Sequence, residues 1–194
     1  MQRAGDRARN ANGNTLKNGN ALKKEFVVRV EADSRASAET VYAALADLPT
    51  HTIWAGERQG KKTRLLTMDT PAGLAVVGTE FHTTGSDPMG TFDDRSVVTE
   101  ATPGRVFEFV TEARLTTKKG RPSAWTNVQR YELERTAEGT RIVWTGRITR
   151  IDELPGMLAM FNVPVLRELG RKTAAKVSRR TVRNLARYAE EQES

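Results

Sequence analysis

Trp125, Asn127, Gln129, Tyr131 and Leu133 occupy every second position of one stretch, and Ile142, Trp144, Gly146 and Ile148 do the same in the next. On strands such residues share a face, so the spacing predicts a wall of indole and phenol rings interrupted by amides. Phe107 and Phe109 join that wall from the preceding stretch. A surface of this kind suits a flat, mostly apolar ligand with one or two oxygens: the rings supply burial while Asn127, Gln129 or Tyr131 fix orientation. Left unpartnered inside, such polar groups cost about 1–3 kcal/mol each, so a ligand, a water, backbone or a neighbouring chain must satisfy them.

Catalytic motifs are missing. The chain has no phosphate-cradling glycine loop, no H-E-x-x-H and no nucleophile elbow, and its two histidines, His51 and His82, lie too far apart in sequence to suggest a metal pair. With no Cys there is no disulfide, thiolate metal site or cysteine nucleophile. Asp93 and Asp94 are adjacent, but neighbours on a strand point to opposite faces, so a turn and surface role is expected for both. No catalytic residue, metal or cofactor is assigned.

Two further segments bear on a ligand. Between Ile151 and Pro164, Leu154, Met157, Leu158, Met160, Phe161 and Val163 crowd around Pro155-Gly156, too apolar for a loop left in water. Met157, Met160 and Phe161 are expected over one cavity end, adapting to guests of different shape; a dimer contact is the rival reading. Residues 162–191 then read as one long amphipathic helix. Leu166, Leu169, Gly170, Thr173, Ala174, Val177, Thr181, Leu185 and Tyr188 form its expected inward stripe, and the small side chains there, with Thr173 and Val177 at its middle, leave room either for a ligand or for large residues opposite. Lys172, Lys176, Arg179, Arg183 and Arg187 run down another side.

These pieces need a scaffold, which the rest of the chain outlines. Residues 1–24, with six bases, one acid and little to bury, read as a disordered leader, and one domain is expected over residues 25–191. Phe26 to Asp33 alternates as a strand; Ser37 caps a helix carrying Val41, Tyr42, Leu45 and Leu48, and a short continuation through Ile53 and Trp54 follows. Strands are expected over residues 62–68, 76–84, 92–100, 105–113, 125–135 and 140–149, with turns at Pro103-Gly104 and Ala137-Glu138-Gly139. Arg130, Glu132, Glu134, Arg141 and Arg147 fall on the opposite face of the last strands, so one side of the sheet is wet and the other is covered by the terminal helix.

The net charge of +7 is uneven: +5 in the leader, +4 in residues 162–194 and −2 in the body between. The body presents no basic groove, and no specific nucleic-acid partner is expected. No run approaches the roughly 20 apolar residues of a membrane span, and no secretory signal is evident, so a cytoplasmic protein is expected.

The order strand, helix, short helix, six strands, long helix resembles the helix-grip fold of the SRPBCC superfamily, which includes START lipid-binding domains and polyketide cyclases. The resemblance is carried by Val30-Glu31-Ala32 with Ala36 to Leu48, by Val77-Gly78-Thr79-Glu80-Phe81, by the hairpin from Val97 through Pro103-Gly104 to Phe109, and by the closing helix, over about residues 25 to 190. It implies an α+β fold in which a curved antiparallel sheet of about seven strands wraps the long C-terminal helix, with two short helices after the first strand and a hydrophobic cavity between sheet and helix. The function expected is non-catalytic capture of a lipid-like or polyketide-like molecule, as carrier or sensor. The alternatives are a polyketide cyclase or aromatase, with His82, Tyr131 or Asp94 moving protons, and an interaction module using the basic helix face on an acidic protein, an anionic membrane or nucleic acid.

Overall fold

The computed structural model describes residues 25–60, 64–153 and 164–194. The leader and residues 154–163 lie outside the described residues, and with them the expectations for Met157, Met160 and Phe161.

Strand β1 (Phe26–Ser34) leads to helix α1 (Ala38–Ala46). Ser37 caps that helix as its sequence position requires, its hydroxyl accepting from the Thr40 N–H at 3.2 Å. Three short helical turns then occupy residues 48–59. Strands β2 (Arg64–Asp69), β3 (Glu80–Ser86), β4 (Gly90–Thr102), β5 (Val106–Thr117), β6 (Pro122–Thr136) and β7 (Gly139–Glu153) precede helix α2 (Pro164–Glu193). The strands form one seven-stranded sheet in the order β1-β7-β6-β5-β4-β3-β2, antiparallel throughout. This is the helix-grip architecture, with α1, the turns of residues 48–59 and α2 on one face of the sheet. Gly104 takes φ 65° in the β4–β5 turn, a conformation that favours glycine.

The outer face is wet. Arg130 projects from β6 to Glu100 at 2.5 Å, Glu108 at 3.1 Å and Glu132 at 3.3 Å, joining three strands through one guanidinium. On the inner face Val30, Phe107, Tyr131, Leu133 and Ile142 meet Val41 and Leu45 of α1 and Val182, Leu185, Ala186 and Ala189 of α2 in a continuous core.

Two expectations need correction. Val76 and Val77 are not in a strand: they lie in the β2–β3 loop, 63% and 60% exposed, where Thr79 N–H bonds to the Val76 carbonyl and Gly78 adopts φ 88°, turning the chain before pairing begins at Glu80. The buried stripe of α2 is also displaced. Leu185 is buried, but its companions are Val182, Ala186 and Ala189, whereas Leu169 is 61% exposed and Val177 36%. A stripe of small residues is wide enough to dock in more than one rotation, and the docked rotation brings Ala186 and Ala189 close under β1 and α1, with the Ser34 hydroxyl donating to the Ala186 carbonyl at 3.1 Å.

Candidate functional site

Directly opposite residues of an antiparallel pair share a face, so the register places side chains in rows across the concave sheet. One row runs Phe81, Ser96, Thr111, Asn127; the next carries Thr83 and Asp94; a third pairs Gly85 with Phe92. Short polar side chains at the centre of the sheet leave its floor low. A cavity of about 220 Å³ lies above them, between strands β2 to β6, the turns of residues 48–59 and the middle of α2.

Its wall is aromatic and aliphatic, with Trp54, Phe81, Phe92, Phe109, Leu65 and Met68. Phe81 and Phe109 meet edge to face at 5.3 Å between centroids, and Trp54 meets Tyr131 likewise at 6.5 Å. Gly85 makes the Phe92 position possible: a Cβ there would fall 1.9 Å from the ring, so the ring lies over bare backbone. The floor is polar, with Thr83, Asp94, Ser96, Thr111 and Gln129. The Ser96 and Thr111 hydroxyls bond to each other at 2.9 Å. Beside them, Asn127 Oδ1 is buried and has no hydrogen-bond partner among the described residues.

The roof is stitched to α2 by amides. Asn184 donates through Nδ2 to the Trp54 carbonyl at 3.1 Å and to Gln59 Oε1 at 3.3 Å, and Gln59 Nε2 donates to the Val177 carbonyl at 3.1 Å. Arg58 holds Glu191 with two bonds of 3.0 and 2.6 Å and lies over the Tyr188 ring. Arg64 and Val177 are the exposed members of the lining and mark where the cavity meets the surface.

Besides Arg64 at the mouth, three titratable groups share this space. Burial pushes the Asp94 carboxyl up to about 6, against the lowering effect of the Arg114 N–H that it accepts at 3.0 Å. Burial pushes His51 down to about 4; its Nε2–H donates to the Leu45 carbonyl at 2.8 Å, which fixes a neutral ring with Nδ1 as the unprotonated nitrogen. Burial raises the Tyr131 phenol far above its ordinary value, so it stays a donor. At neutral pH the site thus holds an ionised carboxylate of raised basicity, a neutral imidazole and a neutral phenol, a set able to orient an oxygenated guest or to move a proton.

Of the residues that the sequence pointed to, Phe109, Gln129, Tyr131 and Val177 line the cavity. Phe107 is fully buried behind Phe109, at 6.1 Å between ring centroids. Asn127, Trp125 and Trp144 lie on the same sheet face outside the lining, Asn127 beside Thr111 of the floor and Trp144 over Gly146. Thr173 is exposed and outside the lining, although it stands one turn ahead of Val177 on the same side of α2. His82 points outward and hydrogen-bonds Asp93 at 2.8 Å, so it takes no part. Asp94, read from sequence as surface, lines the cavity: strand alternation separates it from Asp93 correctly but does not say which of the two faces inward. His51, Trp54, Gln59 and Met68 were missed. The only signal was the apolar Ile53-Trp54 pair between α1 and β2, and no periodicity tied it to the sheet.

Among the described residues no three His, Asp or Glu side chains converge as metal ligands would, and no helix is long and apolar enough to cross a membrane. No curated protein matches this sequence. Solved structures similar to it include TTHA0849 from Thermus thermophilus, with TM-score 0.61 and 15% identity over 87% of this chain and 99% of that one. The di-domain ARO/CYC StfQ from the steffimycin biosynthetic pathway matches with TM-score 0.61 and 15% identity, over 87% of this chain and 52% of StfQ. Ara h 8.0201 matches with TM-score 0.55 and 10% identity, over 86% of this chain and 98% of that one. At these identities the likeness is one of fold. The sequence itself, over residues 25–190, matches the family described as polyketide cyclase / dehydrase and lipid transport, and the chain belongs to that family within the SRPBCC superfamily.

Proposed function

We propose that the protein captures a small, flat, mostly apolar molecule bearing one or two oxygens and holds it as a carrier or sensor. The observation that carries this reading is the cavity's division into an aromatic wall and a polar floor. Trp54, Phe81, Phe92 and Phe109 take the apolar face of the guest, while Gln129 and the Tyr131 hydroxyl meet its polar end. An apolar cavity of about 150 Å³ admits benzene, so about 220 Å³ suits one or two fused rings or a short chain. Removing about 300 Å² of ligand surface from water contributes roughly 7 kcal/mol before ordering costs.

The test is extraction of gently purified protein followed by mass spectrometry, beside a Thr181→Trp variant that fills the cavity from the helix side without removing a long-range hydrogen bond. A near-stoichiometric hydrophobic compound that disappears in the variant is expected. No compound in either protein, or equal amounts in both, contradicts capture in this cavity.

A second reading, a cyclase-type enzyme, is favoured by one observation: Asp94, raised to about 6, shares the cavity with the Tyr131 phenol. Ionised Asp94 would take a proton from the carbon beside a ketone while Tyr131 donates a hydrogen bond to the ketone oxygen that gains charge. Asp94→Asn and Tyr131→Phe should then each lower turnover of a poly-ketone substrate by at least about a hundredfold with binding retained. Turnover unchanged in both variants removes this reading.

A further inference from the structure

The outward face of α2 has two unlike parts. Lys172, Lys176, Arg179, Arg180, Arg183 and Arg187 all stand exposed, at i, i+4, i+7, i+8, i+11 and i+15, a ridge roughly 22 Å long. None of the six is ion-paired to a described residue; the ion pair on this helix's front half, Glu168 with Arg171, lies outside the ridge. In line with the ridge, at the front of the same face, Val165 is 77% exposed and Leu169 61%. A solvated ridge accounts for the charges but gives no reason for two large apolar side chains at its tip.

We infer that this face docks α2 on an anionic lipid surface, with Val165 and Leu169 entering the headgroup boundary and the basic ridge lying along the headgroups. Charge complementarity alone would also fit a nucleic acid, but only a bilayer offers an apolar layer beneath its charge, which is what the tip requires. Val177, at the cavity mouth, is on this same helix, so docking brings the mouth to where hydrophobic molecules reside. That purpose rests on the ligand-capture reading; the docking itself does not.

Flotation of the full chain with vesicles tests the inference. Phosphatidylcholine vesicles containing phosphatidylglycerol should carry the protein and pure phosphatidylcholine vesicles should not, with binding falling steeply as salt rises. At roughly fivefold per basic residue, Lys176→Gln, Arg179→Gln and Arg183→Gln together should weaken binding about a hundredfold. Val165→Ser with Leu169→Ser should weaken it about tenfold while leaving its salt dependence unchanged. Equal binding to neutral vesicles, no binding to anionic ones, or duplex DNA bound more tightly than vesicles with no loss in the Val165/Leu169 variant would each overturn the assignment. All of these positions are exposed, so the variants should keep the parent's circular dichroism. Capture of the neutral probe 1-naphthol should be unaltered in them. Loss of vesicle binding with probe capture intact is the signature of the ridge, whereas absence of probe capture in the parent counts against the cavity reading alone.

Discussion

Beneath the second half of α2 the space between helix and sheet is solid; beneath its middle it is hollow. The helix carries small side chains in both places, with Ala186 and Ala189 in the solid part and Thr181 over the hollow. What differs is the opposite side. Leu45 from α1 and Ile142, Leu133 and Val30 from the sheet fill the solid part, whereas Thr83, Ser96 and Thr111 are too short to rise into the hollow. A cavity under a helix is therefore decided here by the floor, because small residues on the helix permit close approach as readily as they leave a void.

The sharpest way to break this contrast is at its solid end. Leu185→Ala removes a side chain with no exposure and should destabilise the fold by about 3 kcal/mol in urea unfolding. A loss below about 1 kcal/mol would mean that the helix is not anchored there.

Asp94 probes the hollow, and the sign can be worked out. Its carboxyl titrates near 6 when folded and near 4 when unfolded, so between those values the folded chain holds a proton that the unfolded chain releases, and stability falls as pH rises through about 4 to 6. His51 runs the other way: folded near 4 and ordinarily near 6.5, it makes stability rise over about pH 4 to 6.5. In the parent the two slopes oppose each other. Asp94→Asn should leave the rising one alone and gain about 3 kcal/mol near neutral pH, as read from melting temperature against pH. A variant no more stable than its parent near neutral pH would show that Asp94 is solvated.

Asn184 marks the boundary between solid and hollow. Asn184→Ala frees the Trp54 carbonyl and Gln59, and should cost about 1 kcal/mol in urea unfolding while raising hydrogen exchange across residues 54–59 more than elsewhere. Uniform exchange would mean that the roof is held by other contacts. The smallest effect belongs to Leu169→Ala, expected within about 0.5 kcal/mol of the parent because the side chain is mostly in water. A loss comparable to that of Leu185→Ala would place the front half of α2 against the body as firmly as the rear.

The sequence announced most of the scaffold, and the reason is local. Strand alternation in β6 and β7, the Pro103-Gly104 turn and the Ser37 cap each express themselves within a few residues, so they survive without knowledge of the neighbours. The inward-facing Gln129 and Tyr131 followed from that alternation, and Phe109 from the same period in β5. What stayed hidden depends on distant partners: which side of α2 docks, whether Asp93 or Asp94 points in, and that His51 and Trp54 come down over the sheet as a roof. Val76 and Val77 misled because β-branched residues favour a strand only where there is a neighbour to pair with.

The three tryptophans allow the most direct measurement, since Trp54 lines the cavity while Trp125 and Trp144 do not. In a nitrogen-15 correlation spectrum of the full chain titrated with 1-naphthol, the Trp54 indole N–H, bonded at 3.3 Å to the Thr50 hydroxyl, should shift saturably while the other two indoles move little. A spectrum that does not change, or saturable shifts confined to Trp125 and Trp144, would contradict a binding site in the hollow under α2.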